Sequence, residues 1–221
     1  MYRDDGTPVE PPDGDGSPPD WMKAPTPGGT NSYPDMVDPG NGAIYSAPFP
    51  WDAIRWVAYP DGDKTGTTLW QMEVSDEGFL RAEADEPSLW AGDWCKYTKS
   101  VRLDELRRRF AAKQALSLID KWDAPSIVKK YLESAANGNE CRDLRDDVMN
   151  AIGERAQKIP ENDGDQAAII AYQAAYTPKS ADYDIWSIMY VSVVSNHFLA
   201  SRDASDMFNE TAQSMLTNGS G

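Results

Sequence analysis

Apolar residues recur every three or four positions from residue 101 to residue 217, the spacing that places them on one face of an α-helix. Helix-ending or helix-starting signals divide this stretch at Pro125, Asn137-Gly138, Pro160 and Pro178. The pattern therefore predicts a bundle of five or six helices joined by short loops. The segment 183–199 is apolar on most sides, so we expect it to be the central helix of this bundle.

A different pattern precedes the helices, in residues 51–100, which contain five of the eight tryptophans. Apolar and polar residues alternate around Trp56 and again around Trp70 and Met72, as they do in half-buried strands. Between these runs lies a segment rich in Asp and Gly. The sequence predicts a β-hairpin with strands near 53–59 and 67–75, and a third short strand near 79–84. The helical bundle is expected to begin at Ser100, acting as a helix N-cap.

Residues 1–50 contain 11 of the 16 prolines and 7 of the 16 glycines, and carry a net charge of -6. Few apolar residues are available there to compensate the entropy of ordering, so we expect an extended and mostly disordered arm. Scattered apolar side chains along the arm resemble anchors that dock on a partner protein, although they could instead fold back onto the chain's own body. These anchors are Trp21, Met22, Tyr33, Met36, Tyr45 and Phe49. Residues 218–221 form a short tail.

The whole chain of 221 residues has a formal charge of -15, which argues against nucleic-acid binding because phosphate contacts require clustered Lys and Arg. The exception is a basic cluster at Arg107, Arg108 and Arg109. It is either a solvated helix face, balanced by Asp104 and Glu105 at i,i+4 spacing, or a patch that binds an acidic partner or the chain's own acidic arm. Nucleic acid is a further option. No segment has the roughly 20 apolar residues of a membrane span, and the two cysteines favour free thiols in a reducing compartment. We expect a cytoplasmic protein.

The most motif-like string is Asp61-Gly-Asp63-Lys-Thr65-Gly66, which resembles the start of a calcium-binding loop. The bidentate glutamate that such a loop requires at its twelfth position is replaced by Met72. A hairpin turn rich in Asp and Gly explains every feature of this string and is the favoured interpretation, so Asp61, Asp63 and Thr65 are only weak metal-ligand candidates. His197, the single histidine, is expected to be partly buried. The sequence predicts no catalytic residue and no cofactor.

These observations predict an α+β fold with three parts: the arm of residues 1–50, a Trp-rich hairpin module of residues 51–100, and a helical bundle of residues 101–217. The function they favour is a non-catalytic assembly or interaction protein. Its arm would dock along partner subunits of a homo- or hetero-oligomeric particle, such as a virion shell or connector assembled in the cytoplasm. One alternative is an acidic cytosolic inhibitor or immunity-type protein that binds a basic partner. A second is a metal-dependent enzyme that uses the Asp61/Asp63 loop.

Overall fold

A computed structural model describes residues 28–32, 44–57, 68–74, 78–81, 89–92, 94–139, 141–177, 181–198 and 203–218. The strands are β1 Thr30–Ser32, β2 Ile44–Ser46, β3 Thr68–Val74, β4 Gly78–Arg81, β5 Leu89–Gly92 and β6 Trp94–Arg102. The α-helices are α1 Pro50–Val57, α2 Leu103–Ser117, α3 Ser126–Ala136, α4 Arg142–Ala156, α5 Asp163–Ala175, α6 Ala181–Val193 and α7 Ala204–Asn218. This confirms the predicted α+β class, with a helical bundle following the strands.

The chain divides into two units. One consists of residues 1–102 together with 213–221, and the other of residues 103–212. In the described part of the first unit, two three-stranded antiparallel sheets have the orders β1-β6-β3 and β2-β5-β4. The predicted strands at 67–75 and 79–84 correspond to β3 and β4.

The predicted strand at 53–59 is wrong, because residues Pro50–Val57 form the helix α1. Proline is well suited to the first position of a helix, and Asp52 lies in the first turn, where a negative charge is favourable. Ile54, three residues after Trp51, is 2% exposed. An apolar run this short fits both the alternation of a strand and the spacing of a helix, and the first-turn residues Pro50 and Asp52 favour the helix. Strand β3 therefore pairs with β6 and not with the preceding segment.

Two segments of the arm also differ from the prediction, because β1 and β2 lie within residues 1–50 and are not disordered. Strand β1 extends β6 at its edge, supported by backbone hydrogen bonds from Gly28 N to Tyr97 O at 2.8 Å and from Tyr97 N to Gly29 O at 2.9 Å. Strand β2 pairs with β5. Backbone groups of any sequence can form such ladders, so the scarcity of apolar side chains did not reveal them.

Strand β6 was missed because its last residues were expected to start a helix at Ser100. It buries Cys95, Tyr97 and Val101 along one face and continues to Arg102 before α2 begins. A bulge shifts its register with β3 between Gln71 and Met72, and the hydroxyl of Thr98 donates to Gln71 O at 3.0 Å there. The side chain of Thr98 thus satisfies a carbonyl next to the irregularity in the ladder.

In the part of the chain that the structure describes, six α-helices follow Arg102, in agreement with the predicted five or six. Two of their N-termini are capped by short polar side chains. Asn162 accepts a hydrogen bond from Asp165 N at 3.0 Å at the start of α5, so Asn162 is the cap of this helix. Asp203 accepts from Ser205 N at 2.8 Å at the start of α7. No helix in the described part of the chain is long and apolar enough to cross a membrane.

Helix α2, and not the predicted segment 183–199, is the central helix of the second unit, since α3, α5 and α6 all pack against it. Its buried face includes Ala111, Ala112 and Ala115, whose small side chains allow the neighbouring helices to approach closely. Phe110 packs edge-on against Phe208 of α7, with ring centroids 5.3 Å apart. The segment 183–199 forms α6 and then a π-helical turn, Val194–Phe198.

Gly138 ends α3 in the left-handed conformation, with φ of 80°. A Cβ atom at this position would lie 2.7 Å from Nη1 of Arg109. Gly138→Ala therefore combines backbone strain with displacement of an arginine, and we expect a loss of about 1–2 kcal/mol in the free energy of unfolding. Gly153, inside α4, is the matched control. An added Cβ there meets nothing closer than 3.9 Å, so Gly153→Ala should stabilise by about 0.5–1 kcal/mol. Urea unfolding of both variants measures the two effects. A change of the same sign in the free energy of unfolding of both variants would contradict this explanation.

Candidate functional site

Helix α6 is apolar on two opposite faces, and only one of them is buried in the bundle. Ile185, Ile188 and Val191 are 2% exposed or less and form the buried face. On the other side Trp186 is 51% exposed and Val193 is 46% exposed. Together with the half-buried Tyr183 and Tyr190, these two residues form what we call the α6 stripe. Its members are Tyr183, Trp186, Tyr190 and Val193.

The rings of the α6 stripe are in contact with one another. Trp186 stacks on Tyr190 with centroids 5.0 Å apart and an interplanar angle of 13°, and Tyr183 lies 5.3 Å from Trp186. The row continues beyond α6, because Tyr176 lies 5.0 Å from Tyr183, and Tyr172 lies 5.8 Å from Tyr176. Five aromatic rings thus form one continuous row, and contacts between neighbouring rings hold Trp186 in place although half of it faces solvent.

The orientation of α6 is fixed by a buried ion pair behind the stripe. Arg107 of α2 is fully buried and donates from Nε to Asp184 Oδ1 at 2.6 Å. Its remaining nitrogens donate to the carbonyl of Gln173 and, at 2.8 Å, to the carbonyl of Tyr176. Arg107 therefore joins α2, the C-terminal end of α5 and the first turn of α6. It also satisfies carbonyls that the end of a helix leaves without intrahelical partners.

A second set of hydrogen bonds in the same region converges on the side chain of Gln173. Tyr183 Oη donates to Gln173 Oε1 at 2.9 Å, and Ser187 Oγ donates to the same oxygen at 2.8 Å. Burial raises the pKa of Tyr183, and the hydrogen bond to Gln173 opposes that rise. The phenol of Tyr183 is thus held inward, and its ring remains at the surface as the first member of the stripe.

Burial raises the pKa of Asp184, while Arg107 opposes this effect. The direction reflects the cost of removing a carboxylate from water, which the ion pair offsets only in part. Asp184 is 6% exposed and Arg107 0%. Loss of either partner would leave an uncompensated charge inside the bundle.

Two further arginines, Arg108 of α2 and Arg145 of α4, lie close enough to Tyr131 of α3 for their charges to act on its hydroxyl. Arg145 of α4 donates to Thr177 Oγ1 at 3.1 Å and also hydrogen-bonds the hydroxyl of Tyr131. That hydroxyl donates in turn to Ala174 O at 2.8 Å. The side chain of Arg108 is 14% exposed, and its charge interacts with both Arg145 and Tyr131. Arg145 thus links α4 to Tyr131 of α3 and to the residue that follows Tyr176.

The predicted basic patch is wrong for Arg107, because this residue is buried and paired with Asp184. The predicted i,i+4 pairs are present, since Arg108 lies 4.0 Å from Asp104 and Arg109 pairs with Glu105. The pattern of charges predicted the pairs correctly but could not distinguish the inward arginine from its neighbours.

Among the predicted arm anchors, Phe49 is 54% exposed and Tyr45 belongs to β2. The others, Trp21, Met22, Tyr33 and Met36, lie outside the described residues, as do Asp61, Asp63 and Thr65. Within the described ranges no group of three or more His, Cys, Asp or Glu residues could hold a metal ion. Cys95 and Cys141 are both free thiols.

The α6 stripe was missed because the segment was interpreted as a helix buried on most sides. A signal was nevertheless present in the sequence, since residues 183, 186, 190 and 193 follow the 3-4-3 spacing of a helical contact seam. The polar residues Asp184 and Ser187 hid the buried face, because a pattern of hydrophobicity treats them as surface positions.

The chain matches no protein-family model, no curated protein and no solved structure at a significant level. The arrangement of side chains is therefore the basis for the functional argument that follows.

We expect Asp184→Ala to lower the free energy of unfolding by roughly 3–5 kcal/mol, because Arg107 would remain buried without its carboxylate. The double variant Arg107→Met/Asp184→Ala should lose less than the sum of the two single variants, since no buried charge remains. Urea unfolding of the four proteins of this cycle measures the coupling.

The exposed pair Lys96–Glu73 provides the control, with an Nζ–Oε2 distance of 3.5 Å and side chains 41% and 58% exposed. Glu73→Ala should cost less than about 1 kcal/mol, because water screens such a pair. Strictly additive losses at Arg107 and Asp184 would show that the ion pair does not organise this region.

Proposed function

We propose that this protein is a non-catalytic interaction protein that assembles with other protein subunits, and that the α6 stripe is one of its docking surfaces. The observation that carries the proposal is the exposure of Trp186 on a helix whose opposite face already packs in the bundle. Tryptophan and tyrosine are enriched where proteins bind one another, and contiguous exposed aromatic surface is uncommon on proteins that act alone.

The spacing of the stripe favours a helix as the partner element. Residues 183, 186, 190 and 193 occupy successive positions of the kind that receive side chains from a neighbouring helix. The stripe extends over eleven residues of α6, with a rise of about 15 Å from the first to the last, which suits a partner helix of three or four turns. The stacked rings are already ordered, so little side-chain entropy would be lost on binding.

The N-terminal arm is the second part of this proposal. Its 11 prolines and its dispersed anchors, including Trp21 and Met22, fit a segment that lies along neighbouring subunits. A particle built from many subunits, such as a virion, is the type of assembly in which such an arm would act. The double variant Trp21→Ser/Met22→Ser tests this part, because it should weaken the assembly while leaving the unfolding midpoint unchanged.

The decisive experiment for the stripe is native mass spectrometry of the full chain produced in its natural source. The unmodified chain should be found in a complex with other subunits, and Trp186→Ser should reduce the amount of that complex by about tenfold or more, as expected for a central aromatic anchor. Because the side chain of Trp186 is half exposed, we expect this variant to fold and to melt close to the unmodified protein.

Ile159 supplies the matched control, since it is apolar and 89% exposed but lies in the loop between α4 and α5. Ile159→Ser replaces an apolar side chain that is proportionally more exposed than Trp186, and it should leave the complex intact. Equal loss with both variants would indicate general solubility effects and contradict a docking role for the stripe. A monomer throughout would contradict assembly, and a one-to-one complex with a basic protein that dissociates at high salt would favour an inhibitor.

A further inference from the structure

We infer that the helix that docks on the α6 stripe is α6 of a second copy of this chain, lying antiparallel to the first across a two-fold axis. This inference rests on the proposed function and names the partner that the stripe binds. It commits to a homodimer in which the two stripes cover each other.

The first argument is the symmetry of the stripe about its own centre. Its members lie at positions 183, 186, 190 and 193, so the spacing of three, four and three is the same in both directions along the helix. Two copies that cross antiparallel at position 188 therefore place Trp186 of each opposite Tyr190 of the other, and Tyr183 opposite Val193. A two-fold interface uses the same surface on both subunits, and a symmetric row satisfies this condition.

The second argument is the size of the side chains that would meet. The antiparallel arrangement pairs the two largest members of the stripe with smaller ones, because Trp186 faces a tyrosine and Val193 also faces a tyrosine. A parallel arrangement would place tryptophan against tryptophan and valine against valine, so the helices would be held apart at one layer and leave a gap at another. Facing positions that combine larger and smaller side chains pack more evenly. Both Trp186, 51% exposed, and Val193, 46% exposed, are available for this contact.

The third argument is the absence of charge along most of the stripe. Residues 185–201 contain no Asp, Glu, Lys or Arg, although these residues make up 26% of the chain. All 36 acidic residues thus lie outside this run, which would offer a basic partner no carboxylate to pair with. Two copies that each carry -15 repel each other, so a face on which they associate must itself be free of like charge.

The acidic residues that do belong to α6 favour the antiparallel direction. Asp182 and Asp184 lie in its first turn, at one end of the stripe. Antiparallel helices place their first turns at opposite ends of the interface, about 15 Å apart along the axis. This separation exceeds the screening length of about 8 Å at physiological ionic strength, whereas a parallel pair would bring the acidic turns side by side.

Sedimentation velocity of the purified full chain tests the inference. We expect a reversible dimer whose dissociation constant falls about threefold or more when sodium chloride is raised from about 50 mM to about 500 mM, because salt screens the repulsion between two acidic copies. A complex of this chain with a basic protein would respond in the opposite direction. Trp186→Ser should raise the dissociation constant of the dimer about tenfold or more, and Ile159→Ser, the control, should leave it unchanged.

A pair of charged variants tests the antiparallel register. Trp186→Lys and Tyr190→Glu should each be monomeric alone, since either substitution places charges in the seam. In an equal mixture, the lysine of one copy lies opposite the glutamate of the other, and the second central layer remains tryptophan against tyrosine. The mixture should therefore form a heterodimer. A mixture of Ile159→Lys with Tyr190→Glu is the control and should remain monomeric, and thermal melting shows that each variant is folded.

A monomer at every concentration and salt, a dimer that salt weakens, or a mixture of folded charged variants without a heterodimer would overturn the inference. If the isolated chain is a monomer but the native mass spectra contain a complex with other proteins that depends on Trp186, the proposed function stands and only the second copy is refuted. If Trp186→Ser changes neither the dimer nor that complex, the docking role of the stripe fails as well.

Discussion

The buried contact between Arg107 and Asp184 determines how the helical unit is organised. One guanidinium binds a carboxylate on α6 and two carbonyls at the end of α5, so three helices meet at a single side chain of α2. Such a group is costly to bury and gains from its partners only when all of them are in place. The angle between α5 and α6 is therefore specified more strictly than apolar packing alone would require.

This constraint explains why an aromatic face remains in solvent. A helix that is apolar on two sides could rotate and bury either one, and the aromatic side offers more apolar area. Asp184 and Ser187 prevent that rotation, since both find their hydrogen-bond partners only on the bundle side. The exposure of Trp186 is thus a consequence of polar groups behind it. The contacts that specify the orientation of α6 are thus the same contacts that leave the proposed docking surface exposed.

The sequence predicted the positions of the helices better than it predicted which side chains are buried and which strands pair. The bounds of α3 and α4 follow from apolar spacing and from Gly138 and Pro160, because local backbone preferences decide where helices end. Strand β6 was not predicted because it is defined by pairing with β1 and β3, which lie elsewhere in the sequence. Helix α1 was not predicted because its short apolar run also fits a strand. The burial of Arg107 could not be predicted, since Arg108 and Arg109 have the same chemistry and only the positions of Asp184 and two carbonyls distinguish them. The spacing of the residues of the α6 stripe could be seen in the sequence, but the whole segment was assigned to the core.

The net charge of -15 shapes what the stripe can bind. At long range the chain repels other acidic proteins, including its own copies, and this opposes non-specific association through the exposed rings. At physiological ionic strength this repulsion is screened beyond about 8 Å, so it acts on another acidic protein only when that protein is already close to the surface. Under the proposed docking role, a partner that covers the rings must gain enough from apolar contact to outweigh the like charge that remains at short range. The net charge would thus select for partners that fit the stripe closely, because a loose contact would not overcome the repulsion.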